Sequence, residues 1–184
     1  MDRVDHNWEE LRQLLLEKSY EKKKVTLASG RESDFYIDCR QATLHGRGAI
    51  LTGRLIYARL RGTEVEAVGG PTLGADPMVT AVSLIASLAG ADLPAFIVRK
   101  EPKGHGLARM IEGFGNLREG MKAAIIEDVV TTGGSTLKAV EAVRAAGLEV
   151  VRIICLVDRE EGGSENLKEK GFELEAIYTK TSLL

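Results

Sequence analysis

Apolar and polar positions in the first part of the chain follow helical and strand periods over short segments. Residues 8–16 have apolar side chains at helical spacing, which predicts an amphipathic helix that packs on a core. Residues 25–27 and 35–38 have the composition of two short strands around a polar turn. We expect these strands to form a small β hood.

The rest of the chain alternates short apolar runs with helical patterns. The runs predicted as strands are residues 66–71, 95–98, 123–126, 150–157 and 174–178. Between the first two, Asp76 supplies an N-cap and Pro77 the first helical residue of a helix that ends near Leu88. This alternation predicts an α/β fold with a parallel, doubly wound sheet below the hood. We expect a single domain over residues 1–184, in which residues 1–45 form the N-terminal helix and the hood.

Composition and charge agree with one soluble globular domain and exclude little else. The 184 residues include 25 basic and 27 acidic side chains, so the net charge of −2 gives no support to a nucleic-acid or membrane partner. Cys39 and Cys155 are far apart and have no metal-ligand spacing. The first residues lack an apolar signal core, and no run has the length of a transmembrane helix. A cytoplasmic location is therefore expected.

Residues 122–136 carry the strongest chemical signal. Four apolar residues precede the carboxylates Glu127 and Asp128, and hydroxyl residues and two glycines follow before a helix starts near Ser135. Glycines let the backbone approach an anion, and a helix N-terminus favours negative charge. Carboxylates just before such a turn can accept hydrogen bonds from ribose hydroxyls. The pattern indicates a ribose-phosphate site rather than a Walker A loop, which needs Lys where Gly134 stands.

A basic loop follows the predicted strand at residues 95–98. Arg99, Lys100, Lys103 and His105 place three fixed positive charges and one titratable group within seven residues. A basic loop is often only a solvated surface, but this loop follows a parallel strand and should lie near the ribose-phosphate site. We expect it to be a lid over a substrate that is rich in phosphate.

Residues 122–136 resemble the phosphoribosyl pyrophosphate (PRPP) motif of type I phosphoribosyltransferases. The basic loop at residues 99–106 is similar to the mobile catalytic loop of orotate phosphoribosyltransferases. Further similarities cover most of the chain and lie at residues 26–31, 69–71 and 156–159. The resemblance implies an enzyme that transfers ribose 5-phosphate from PRPP to orotate, giving orotidine 5′-monophosphate and pyrophosphate in pyrimidine biosynthesis.

The resemblance also implies roles for individual residues. Catalytic roles fall on Lys103, His105 and Asp128, and contacts with orotate fall on Thr131 and Arg159. The residues implied to bind PRPP are Arg99, Lys100, Lys103, His105, Glu127, Asp128, Val129, Val130, Thr131, Thr132, Gly133, Gly134 and Ser135. Lys103 can neutralise the leaving pyrophosphate, and Arg159 suits the orotate carboxylate, although it could instead pair with Asp158 or Glu160 at the surface. The expected cofactor is Mg²⁺, bound mainly by substrate oxygens and water.

Two positions depart from the family pattern. Many family members have lysine in the segments where this chain has Ala28 and Leu73, and neither side chain can replace a charge. The contacts of those lysines are therefore absent or are made by other residues, with Arg31 as one candidate.

The family contributes its basic loop from the neighbouring subunit, which implies a homodimer with residues 99–105 shared across a two-fold interface. Two other functions stay open. A purine phosphoribosyltransferase would need an apolar or aromatic pocket near Arg159. A PRPP-sensing regulator that binds nucleic acid would need an added DNA-binding region or a strongly basic face.

Overall fold

The structure is a computed structural model that describes residues 3–23, 25–26, 32–33, 35–101 and 110–184. The helices are α1 (Arg3–Lys18), α2 (Arg40–Thr43), α3 (Gly46–Leu60), α4 (Asp76–Leu88), α5 (Gly134–Ala145), α6 (Gly163–Glu169) and α7 (Lys180–Leu183). The strands are β1 (Tyr20–Glu21), β2 (Val25–Thr26), β3 (Glu32–Ser33), β4 (Tyr36–Ile37), β5 (Ala67–Pro71), β6 (Ala95–Val98), β7 (Ile111–Glu112), β8 (Lys122–Val130), β9 (Glu149–Asp158) and β10 (Leu174–Thr179). In this part of the chain, no helix combines the length and apolar character needed to cross a membrane.

The central sheet has the strand order β10-β9-β8-β5-β6-β7. All neighbours pair in parallel except β7, which pairs antiparallel with β6 at one edge. The predicted parallel α/β sheet is thus confirmed. The edge strand β7 was not predicted, because a strand of two residues is too short to show an alternating pattern.

Helices cover both faces of this sheet and bury its alternating side chains. On β8, Ala124 and Ile126 belong to the core that contains residues of α1, α3 and α4, whereas Ala123 and Ile125 belong to the core with α5. Successive side chains of a strand point to opposite faces of the sheet. Adjacent residues at the carboxyl end of β8 therefore also face opposite helical layers.

The hood consists of two separate pairs of short strands. The predicted strands β2 and β4 do not pair with each other, since β2 pairs with β3 and β4 pairs with β1, both antiparallel. The sequence did not reveal β1 and β3 because they lie in polar and charged segments. Phe35 and Ile37 are buried in the core with α1 and α3, which joins the hood to the main sheet.

The helix after β5 begins one residue earlier than predicted. Asp76 is the first helical residue and Ala75 precedes it as the N-cap, so the prediction of Asp76 as the N-cap is wrong. The Asp76 carboxylate instead accepts a hydrogen bond from Thr72 Oγ1 at 2.8 Å, which fixes the loop after β5 to the start of α4. Pro77 is therefore the second helical residue rather than the first, and the helix ends at Leu88 as predicted.

Candidate active site

The two carboxylates lie inside strand β8, not in the loop after it. Parallel pairing with β9 continues through Glu127, opposite Cys155, to Val130, opposite Asp158, so the strand extends four residues beyond its predicted end. Residues 131–133 then form the turn to α5, and Gly133 has a φ of 79°, a left-handed conformation that glycine adopts without strain. The predicted order of strand, acids, turn and helix is correct, with these shifted boundaries.

Glu127 is almost completely buried and contacts the first turn of α5. Its Oε2 atom accepts hydrogen bonds from Thr136 Oγ1 at 2.9 Å and from Ser135 Oγ at 3.3 Å. Burial, reinforced by the negative charge of Asp128, raises the pKa of Glu127 to about 8. A carboxyl group with this pKa is largely protonated at neutral pH in the protein without substrate.

Asp128 lies on the other side of the strand, against the loop that follows β5. A Cβ atom added to Gly74 would overlap the Asp128 carboxylate, so only glycine leaves room for it there. The Asp128 Oδ1 atom accepts a hydrogen bond from the Val129 N–H at 2.9 Å. Burial raises the pKa of Asp128, and the charge of Arg40 acts in the opposite direction.

A cavity of about 860 Å³ opens at this edge of the sheet. The residues predicted to bind PRPP that line it are Arg99, Lys100, Glu127, Asp128, Val129 and Ser135. The other predicted residues in this stretch, Val130, Thr131, Thr132, Gly133 and Gly134, form the end of β8, the turn and the first residue of α5. Gly134 and Ser135 are exposed, so the N-terminus of α5 is open to an anion.

The basic loop is only partly described. Arg99 follows β6, where its Nη1 donates to Glu112 Oε1 at 2.8 Å and its backbone N–H donates to the carbonyl oxygen of Met110. Lys103 and His105, the predicted catalytic residues of this loop, lie outside the described residues, as do Ala28 and Arg31 of the hood. The structure therefore brings Arg99 and Lys100 to the cavity and does not place the rest of the loop.

Arg159 follows β9 directly and is 4% exposed. Its Nε donates to Glu161 Oε1 at 2.9 Å, its Nη2 donates to the carbonyl oxygen of Phe35 at 2.9 Å, and its guanidinium lies 4.7 Å from the centroid of the Phe35 ring. The alternative in which Arg159 pairs with Asp158 or Glu160 at the surface is wrong, because the side chain is buried and forms an ion pair with Glu161. Arg159 thereby joins the end of β9 to the hood.

Sequence reasoning did not identify Asp38, Arg40 and Gly74 as residues of the cavity. Asp38 and Arg40 form an ion pair on its wall, and Gly74 makes room for Asp128. Opposite charges two residues apart at the end of a predicted hood strand are a weak local signal. Their position next to β8 depends on tertiary packing, which no local pattern shows.

The arrangement suits a phosphorylated sugar. Carboxylates can bind hydroxyls, the turn after β8 and the α5 N-terminus can bind a phosphate, and Arg99 and Lys100 can bind a second anionic group across the cavity.

Comparison with known proteins agrees with this interpretation. A model of the phosphoribosyl transferase domain matches residues 47–179. The orotate phosphoribosyltransferase of Sorangium cellulosum is 51% identical over 177 residues, which are 96% of this chain and 92% of that protein. The enzyme of the same name from a Nostoc species is 47% identical over 166 residues, 90% of this chain and 80% of that protein.

A solved structure shows the same likeness in three dimensions. Mycobacterium tuberculosis orotate phosphoribosyltransferase in complex with PRPP is 36% identical, with a TM-score of 0.77 over 96% of this chain and 98% of that chain. The fold is thus that of a type I phosphoribosyltransferase. Within that class, the chain belongs to the orotate phosphoribosyltransferase family. The predicted enzyme, an orotate phosphoribosyltransferase of pyrimidine biosynthesis, is confirmed.

Proposed function

We propose that this chain forms orotidine 5′-monophosphate and pyrophosphate from orotate and PRPP. The observation that carries the proposal is the position of Glu127 and Asp128 at the carboxyl end of β8, on the wall of the cavity and directly before the open N-terminus of α5. The names of the related enzymes support orotate as the base.

The ribose 5-phosphate would lie across the end of β8. Thr131, Thr132 and Ser135 can donate hydroxyl hydrogen bonds to the phosphate, next to the N–H groups at the start of α5. Glu127 and Asp128 would accept hydrogen bonds from the ribose hydroxyls. The negative charge of Asp128 on this side would stabilise the positive charge that develops on the ribose as the bond to pyrophosphate breaks.

The leaving pyrophosphate needs positive charge on the other side of the breaking bond. Arg99 and Lys100 line the cavity there, and we assign Lys103 and His105 to the same task from the family resemblance. As the C1–oxygen bond of PRPP breaks, a ring nitrogen of orotate bonds to C1 and its proton passes to solvent or to the departing pyrophosphate. The cationic groups stabilise the charge that moves onto pyrophosphate. A closed loop would also exclude water, which could otherwise hydrolyse the activated sugar.

Mg²⁺ fits the donor chemistry of this site. The Asp128 carboxylate lines the cavity, and together with phosphate and hydroxyl oxygens of PRPP it gives the hard oxygen ligands that this ion prefers. Asp128 would hold the ion directly or through water. When bound, Mg²⁺ would neutralise part of the charge on the leaving group.

Orotate would bind between the end of β9 and the hood. Arg159 and Thr131 are the proposed contacts, and the bonds from Arg159 to Glu161 and to the Phe35 carbonyl hold its guanidinium in one orientation. We further propose a cytoplasmic homodimer of single-domain subunits that share the loop of residues 99–105 and have neither a nucleic-acid nor a membrane partner.

A spectrophotometric assay tests this function. Orotate, uracil, adenine and hypoxanthine are each supplied with PRPP and Mg²⁺, and the product nucleotide is identified. We expect turnover with orotate and none with the other three bases. Turnover with adenine or hypoxanthine but not with orotate would refute the proposal.

A further inference from the structure

An ion pair on the cavity wall has no part in the reaction proposed above. Arg40 Nε donates to Asp38 Oδ1 at 2.7 Å, and Arg40 Nη2 donates to Asp38 Oδ2 at 3.1 Å. The backbone N–H of Arg40 also donates to Asp38 Oδ1 at 3.2 Å, and Gln41 Nε2 donates to Oδ2 at 3.3 Å. The carboxylate thus fixes the guanidinium from one side, at the junction of β4 and α2.

This geometry leaves Arg40 able to bind a second anion. A guanidinium has two edges with parallel N–H donors, and Asp38 occupies the edge formed by Nε and Nη2. The other edge, formed by Nη1 and Nη2, can donate hydrogen bonds to a further acceptor. The Arg40 side chain is 43% exposed and lines the cavity, whereas Asp38 is 17% exposed, so the arginine is the member of the pair that a ligand can reach.

Arg40 lies near a part of the cavity wall, the loop after β5, that has no positively charged side chain. Residues 72–74, which follow β5 and line the cavity, are Thr72, Leu73 and Gly74, and the Leu73 side chain is 61% exposed without any charge. Arg40 is close enough to the neighbouring Asp128 for its charge to lower the pKa of that carboxyl against the effect of burial. Arg40 therefore brings a positive charge to the wall where the loop after β5 has none.

We propose that Arg40 binds an oxyanion of the substrates, either a phosphate oxygen of the pyrophosphate group or the carboxylate of orotate. Asp38 is a positioning residue, which holds the guanidinium of Arg40 in the orientation that binds the oxyanion. The inference rests on the proposed function for the identity of the anions. It adds a binding residue from the hood, on a different element from Arg99, Lys100 and Arg159.

Calorimetric binding of inorganic pyrophosphate with Mg²⁺, and of orotate, tests the inference together with the KM for PRPP and for orotate. Arg40→Gln should weaken binding of one of the two anions by about tenfold to a hundredfold, the usual effect of losing a charge-assisted bond. Loss confined to pyrophosphate and PRPP identifies the phosphate, and loss confined to orotate identifies the carboxylate. Arg40→Lys should recover part of the affinity, and Asp38→Asn should weaken the same anion less than Arg40→Gln does.

Arg47→Gln is the matched control. Arg47 forms the same two-bond pair with Glu10, at 2.5 Å for both contacts, and its side chain is 45% exposed, but it does not line the cavity. It should leave both affinities unchanged. Thermal unfolding verifies that each variant is folded, and the double variant Arg40→Gln/Asp38→Asn replaces Arg40→Gln if the unpaired Asp38 prevents folding.

Unchanged affinities for both anions in a folded Arg40 variant would overturn the inference. An equal small loss for both anions that Arg47→Gln reproduces would also overturn it, because it would show only the effect of bulk charge. Either result leaves the proposed function standing if the wild-type protein still converts orotate. Failure of the wild-type protein to convert orotate refutes the function instead, while binding of pyrophosphate can still be compared between wild type and Arg40→Gln.

Discussion

Glu127 couples the protonation of the site to the stability of the fold. Its pKa in the folded protein is about 8 against an ordinary value of 4.5, mainly because the side chain is buried. Between these two pH values the folded state binds more protons than the unfolded state. The free energy of unfolding of the substrate-free protein should therefore decrease as pH rises from about 4.5 to about 8.

Glu127→Gln should remove this contribution. The variant keeps the size of the side chain and cannot ionise, so its stability relative to wild type should increase with pH over the same window, by at most about 1.4 kcal/mol per pH unit. Urea unfolding of both proteins at a series of pH values measures the difference. A constant difference from pH 5 to pH 8 would show that Glu127 is already ionised at pH 5.

Asp128 should matter more for turnover than for folding. Asp128→Asn keeps the shape that packs on Gly74 but removes the negative charge next to the proposed ribose site. We expect kcat to decrease by about tenfold to a thousandfold at saturating PRPP and Mg²⁺, with little change in the melting temperature. Unchanged kcat in this variant would place the ribose elsewhere in the cavity.

Arg159 is expected to select the base. Arg159→Ala should raise the KM for orotate much more than the KM for PRPP. The corresponding loss of binding free energy for orotate should be about 2–5 kcal/mol if its carboxylate is left buried and unpaired. The variant also leaves Glu161 without its partner, so Glu161→Gln serves as a control for the loss of that ion pair alone. Equal effects of Arg159→Ala on both substrates would assign Arg159 to the structure of the hood.

The loop after β5 controls the position of Asp128. In Gly74→Ala the added Cβ would occupy the space of the Asp128 carboxylate, so either the loop or the acid must move. We expect kcat/KM for PRPP to fall by about tenfold to a hundredfold, since small displacements of a catalytic group have effects of this size. Gly46→Ala is the control, because a Cβ there meets no atom within 4 Å.

Most of the elements that sequence reasoning identified have a repeating pattern, whereas the two-residue strands β2 and β4 were predicted from their composition. Strands β6 and β8 and helix α4 are long enough for the period of apolar residues to predict them. Sequence reasoning did not identify the two-residue strands β1, β3 and β7 or the four-residue helices α2 and α7. Pairing partners, rather than local sequence, determine such short segments.

The parts of the site that could be predicted are those whose residues lie close together in the sequence. Glu127, Asp128 and Ser135 are close in the sequence, so their spacing alone indicated a ribose phosphate. Asp38 and Arg40 reach the cavity because the hood packs on the sheet, and 90 residues separate Asp38 from Asp128. Contacts between distant elements of this kind leave no periodic signal in either segment.

The topology of the whole sheet places the site. From β5 the chain adds β6 on one side, and then returns to add β8, β9 and β10 on the other side. The connections therefore diverge from the boundary between β5 and β8, where an open crevice forms at the carboxyl ends of the strands. Gly74, after β5, meets Asp128, near the end of β8, at this boundary, so the cavity lies where a doubly wound sheet binds its ligand.

The assembly of two such subunits is testable by mixing inactive variants. Lys103→Ala and Asp128→Asn, each expected to be nearly inactive alone, are unfolded together in equal amounts, refolded and assayed. If Lys103, which lies outside the described residues, acts in the partner's site, a mixed dimer has one site with both defects and one with neither. Half of randomly paired dimers are mixed, so about one quarter of wild-type activity should return. If each loop serves its own subunit, every site keeps one defect and mixing restores nothing, which would refute the shared loop and leave the roles of Glu127 and Asp128 unaffected.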